Sequence, residues 1–220
     1  MKRMVISLTF VSLCVALLVA CGNKPVTPDW QMNAQGSMER FVSAYLSGNA
    51  RVESLEFERA RGDLSRTGRP ELLARAELLR CAARVASLVV ETCAGFEALR
   101  QDAAPAERAY ADYLSGKGVA QDAALLPEAQ RAVMSGGDAA LAAIKDPLSQ
   151  LVAAGVLFQA GKASPVTIST AVDTASAQGW RRPLLAWLLI QAQRAELGGA
   201  TDEAARIRRR ISVVEKAGKP

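Results

Sequence analysis

Histidine is absent from this chain. The usual proton carrier near neutral pH, the usual activator of a serine or cysteine nucleophile and the commonest metal ligand are therefore missing together. No carboxylate pair stands apart as an acid–base couple. Glu53, Glu56, Glu58 and Asp63 alternate with Arg51, Arg59, Arg61 and Arg66, which reads as a solvated helix laced with i,i+4 ion pairs rather than a hydrolytic site. Asp173 lies in the small, apolar run "AVDTASAQGW". A buried carboxylate there needs a partner, and Arg181 or Arg182 could give a bidentate contact, either orienting a ligand or clamping two helices. "SGGDAA" (135–140) reads as a turn with no strand before it, so it is not a phosphate loop. Neither a cofactor nor a metal is expected.

Cys81 and Cys93 form a pair that suits a disulfide in an oxidising compartment. Spacing argues against it. On one straight helix, positions 12 apart lie about 18 Å apart, while a disulfide tolerates a Cα separation of at most ~7 Å. A bridge requires the helix to end well before Glu91 and the chain to double back, yet "RVASLVVET" (84–92) holds no glycine or proline to force a turn. Two separate thiols, with Cys81 on an apolar helix face, is the other reading. Trp180, Arg181 and Arg182 make a cluster that could grip a peptide or a carboxylate, or could simply pack. Trp187 is assigned to the core. "ARIRRRISVVEK" (205–216) is an amphipathic basic helix. It could touch anionic lipid or an acidic partner, or cap the end of a helical array with a charged outer face.

Lys2 and Arg3 precede Val5–Ala20, 16 residues without a charge. That run is short of the ~20 residues needed to cross a bilayer core and has the layout of a secretory signal. Leu18-Val19-Ala20-Cys21 resembles the lipobox of bacterial lipoproteins. The resemblance implies cleavage before Cys21 and acylation of its sulfur, leaving Cys14 in the discarded leader. Two or three acyl chains, at about 0.8 kcal/mol per buried methylene, hold firmly where one does not. Gly22 stands where an inner-membrane retention signal of this family has Asp. The resemblance therefore implies anchoring at the outer membrane, on its periplasmic face. Loss of Lys2 and Arg3 lowers the net charge from +5 to +3, too weak a surplus for a nucleic-acid partner.

The chain divides into a signal peptide (1–20), a lipidated cysteine with a short tether (21–30) and a helical domain (31–217). Prolines 70, 105, 127, 147, 165 and 183 punctuate it at helix starts, with Asp146-Pro147 and Ser164-Pro165 as N-cap and N1 pairs. Gly48, Gly116, Gly161, Gly179 and Gly198 close the segments. Residues 147, 165, 183 and 201 are 18 apart, with Thr201 placed as a cap before two acids, and Tyr45 and Tyr113, in "AYLSGN" and "DYLSGK", are 68 apart. Both spacings suit paired helices with a period in the mid-thirties. Abundant alanine and few aromatics suit closely packed helices. "GATDEA" (199–204) resembles the inter-helix turn of tetratricopeptide-type repeats, although the helix before it lacks that family's Gly and Tyr. The expectation is an all-α fold of nine or ten helices, in antiparallel pairs forming a short tetratricopeptide-like solenoid. Its expected function is a non-catalytic module that binds a protein or peptide in the periplasm. An envelope-polymer enzyme using a carboxylate and a membrane–wall linker are the alternatives.

Overall fold

A computed structural model describes residues 27–217. The leader, Cys21 and most of the tether lie outside the described residues. Ten α-helices are described: α1 Asp29–Ser47, α2 Ala50–Ser65, α3 Pro70–Ala86, α4 Ala94–Glu97, α5 Pro105–Leu114, α6 Glu128–Ala143, α7 Pro147–Gln159, α8 Pro165–Ala177, α9 Arg181–Leu197 and α10 Thr201–Lys216. Short 3-10 turns at Arg100–Asp102 and Ala120–Leu125 complete them. No strand occurs among the described residues. The fold is all-α, an array of antiparallel helix pairs of the helical-repeat kind. No described helix is long and apolar enough to cross a membrane.

Local chemistry sets the helix ends. The Asp146 side chain accepts from Ser149 N at 2.7 Å, and Ser164 accepts from Val166 N at 3.0 Å, so each satisfies a backbone donor that the first turn leaves free. Gly48 takes φ 85° and turns α1 into α2. Four local expectations shift. Asp29 and Trp30 belong to α1 rather than to the tether, with Pro28 in the capping position and Asp29 in the first turn. Gly198 is not left-handed; Gly199 takes that conformation at φ 73°. Thr201 is the first residue of α10, and the cap position falls on Ala200. Residues 135–140 form a kink within α6 at Gly137, not a separate turn.

Consecutive pairs pack as α1/α2, α6/α7, α7/α8, α8/α9 and α9/α10, and the array then folds back on itself, with α7 resting on α3 and α9 on α1. The α3/α7 crossing is built from small residues: Gly155 lies against Val85, and Ala82, Ala86, Ala153 and Ala154 are buried in the same core cluster. Trp187 is fully buried and donates its Nε1–H to Ala86 O at 3.1 Å. One core cluster centres on α1–α3 and a larger one on α3 and α5–α10; Leu148 and Trp180 pack against both. Buried glutamines serve as polar glue. Tyr113 OH donates to Gln130 Oε1 at 2.8 Å, and Gln130 Nε2 donates to Ser149 O at 3.1 Å. Gln150 Nε2 donates to the carbonyls of Leu141 and Ile144, where α6 ends.

Candidate interaction surfaces

The alternating charges of α2 do not all face solvent. Glu56 is 4% exposed. It accepts from Arg40 Nε of α1 at 2.9 Å and from Arg59 Nη1 at 2.7 Å. Burial alone would raise its pKa, but the Arg40 hydrogen bond and the charges of Arg40 and Arg59 outweigh it and hold the group below the ordinary 4.5. Glu77 of α3 is buried between Arg61 of α2 and Arg80. Glu56–Arg59 and Asp63–Arg66 pair along α2 at i,i+3 and Glu58 is exposed, while Glu56 and Glu77 turn inward and join helices.

The Trp180–Arg182 cluster sits at the junction of α1, α2, α9 and α10. Trp180 is half-buried at the N-terminal cap of α9. Arg181 Nε donates to Val214 O at 3.2 Å. Arg182 Nη1 donates to Glu53 Oε2 at 2.9 Å, and its guanidinium lies 4.1 Å from the centroid of the Tyr45 ring. Both arginines are thus engaged inside the chain. Asp173, expected as a buried carboxylate with these arginines for partners, is exposed on α8 instead.

Cys81 and Cys93 are bonded, with Cα atoms 5.8 Å apart. The geometric objection is met because α3 ends at Ala86 and Leu88 adopts φ 58°, doing what glycine usually does. The returning chain then brings Gly95 against the Glu77 carboxylate, which would have to shift to admit a Cβ. No sequence signal marks that reversal beyond the cysteine pair itself.

A surface that the sequence did not single out lies along α3. Leu78, Leu79 and Ala82 floor a trough of about 440 Å³, walled by Tyr110 of α5 and by Leu125 and Pro127. Burial pushes the Tyr110 phenol well above its ordinary value. A second trough of about 490 Å³ lies between α1 and α3, lined by Trp30, Met38, Leu64 and Leu72. Arg75 and Leu79 line both troughs. Arg75 Nε donates to Glu107 Oε1 at 2.7 Å, pinning α3 to α5 at the divide. Burial would raise Glu107, but Arg75 outweighs it and the carboxyl lies below the ordinary value. The surface is mainly apolar, with the Arg75–Glu107 ion pair at the divide and Gln31, Gln35 and Arg69 along the α1/α3 trough. Its residues recur three and four apart along α3, hidden in the sequence among core positions of the same helix. Among the described residues, no group of three or more acidic or cysteine side chains is arranged to hold a metal. No protein-family model, curated protein or solved structure matches this chain.

Proposed function

We propose that this chain is a non-catalytic interaction module of the bacterial periplasm, held by acylated Cys21 at the outer membrane. On this reading the α3 surface receives an amphipathic segment of a periplasmic protein. The observation that carries it is the α3/α5 trough and the adjoining Leu79 end of the α1/α3 trough, divided by the Arg75–Glu107 ion pair. Apolar grooves of this form on helical arrays suit the apolar face of a partner helix, with a charged pair at mid-groove to fix its register. The lipobox-like Leu18–Cys21 and the Gly22 that follows it supply the location. An enzyme acting on an envelope polymer would need a carboxylic acid held above its ordinary pKa, whereas Glu107, the acid of this groove, is shifted the other way.

A photo-reactive residue placed at Leu125, with Val166 of α8 as the control position, tests the reading in intact cells. The expected product is a specific protein crosslinked from position 125 and not from 166. Recovery of only lipid and cell wall, or of the same products from both positions, refutes it.

A further inference from the structure

We propose that the pole of the domain carrying Trp30 and Met32 faces the membrane, with these two side chains seated in the headgroup region of a phospholipid bilayer. The inference rests on the reading of Cys21 as a lipid anchor. Eight residue steps separate Cys21 from Asp29, where α1 begins. At full extension they span at most roughly 29 Å, so the tether keeps this end of α1 within that reach of the lipid.

The side chains at that end suit the position. Trp30 is half-buried in the second residue of α1 and lines the α1/α3 trough, while Met32 is 52% exposed. Residues two apart on a helix point about 200° apart. A plane that touches both must therefore cross α1 near its tip rather than lie along its flank. Leu72 and Arg69, at the start of α3, line the same trough as Trp30, and Arg66, at the end of α2, lines with Met32 a polar groove that also holds Arg59 and Asp63. Tryptophan with apolar neighbours, bordered by arginines whose stems are apolar, is the composition that settles at a bilayer interface. Arg66 is paired with Asp63 and Arg69 with Glu71. Apolar seating rather than attraction to anionic lipid thus drives the contact.

The geometry also places the C-terminal end of the basic helix at the opposite pole. α1 is 19 residues long, about 28 Å. Gly48 at its far end stands beside the Arg181 guanidinium, which reaches Val214 near the end of α10. The Val214 end of α10 therefore lies away from the bilayer when Trp30 touches lipid.

The test uses the full mature protein, purified with its lipid. Intact mass establishes acylation of Cys21, and the protein is then reconstituted in phosphatidylcholine vesicles whose acyl chains carry bromine near the glycerol end. Of the three tryptophans, Trp187 is buried and Trp180 sits at the far pole. The expected result is loss of the Trp30 share of the emission, no such loss in Trp30→Phe, and its return in Trp30→Phe/Met32→Trp. Quenching should be unchanged when anionic lipid is added. Acylated protein without quenching, or quenching that survives in Trp30→Phe, overturns the inference alone. A mature chain without acyl groups overturns both the inference and the anchor reading beneath it.

Discussion

Gly155→Ala gives a direct test of how α3 and α7 meet. A Cβ built on Gly155 lies 2.9 Å from Val85 Cγ1, 3.0 Å from the Val85 carbonyl carbon, and closer still to its oxygen. Carbon atoms rest at about 3.5–4.0 Å, so the two helices must part by about 0.5–1 Å at their crossing. Backbone offers no rotamer by which to yield, which puts the overlap near the upper part of the roughly 1–3 kcal/mol typical of overpacking. Alanine regains up to about 1 kcal/mol of helix propensity, leaving a net loss of ~1–2 kcal/mol. Gly62→Ala is the control. It lies inside α2 with nothing within 4 Å of the added Cβ, and should stabilise by ~0.5–1 kcal/mol. Urea unfolding followed by the fluorescence of Trp187, whose indole bonds Ala86 beside this crossing, reads both. With a slope of about 2 kcal/mol per molar urea, the Gly155→Ala midpoint should fall by ~0.5–1 M while that of Gly62→Ala rises. If Gly155→Ala stabilises as Gly62→Ala does, α3 and α7 are not in contact at this point and the folded-back arrangement is wrong.

Replacing both cysteines by serine frees the 12-residue separation that the bridge closes and should cost about 3 kcal/mol of stability; unfolding curves with and without reductant check it, since only the parent protein should respond. Glu56, Glu97 and Glu107 are all held below 4.5 in the fold. Because a depressed carboxylate stabilises above its unfolded pKa and loses that contribution as pH falls, urea midpoints should decline below about 4.5, and Glu56→Gln should flatten the decline. Arg182→Ala and Glu53→Gln, combined in a double-mutant cycle, should show a coupling of about 1 kcal/mol. Arg182→Lys should keep part of that coupling but lose the flat contact with Tyr45. Ser164→Ala removes an acceptor for two backbone N–H groups and should lower stability by ~1 kcal/mol, measurable by thermal unfolding.

The helices were legible because their ends are written in residues with strong backbone preferences. Asp146-Pro147 and Ser164-Pro165 each join a side-chain acceptor to a residue that needs no N–H donor, and helices begin there. Where the physics is not local, the reading stops. Leu88 enters a conformation that leucine resists, and nothing in "SLVVET" announces it; the disulfide and the packing of α4 under α3 hold it there. Gly155 reads as a weak point in an apolar helix until Val85, 70 residues earlier, turns out to need the space. Gln130 and Gln150 carry no local mark of burial, yet they close the ends and gaps of α6 and α7.

The site was harder to see for a related reason. Charge spacing along one helix says which residues are neighbours on that helix, not which face is covered by another. Glu56 shares its helix with Arg59, but it also faces Arg40 of α1, and that second contact takes it out of solvent. Arg182 likewise stands beside Trp180 in the sequence yet spends its charge on Glu53, 129 residues away. Once arginines and carboxylates are matched between helices in this way, their charges mainly fix how the helices sit. What is left for recognition is apolar surface that no helix of the array covers. Trp30, Leu72 and Leu79 are spread over two helices, so they become one surface only after α1 and α3 have packed together.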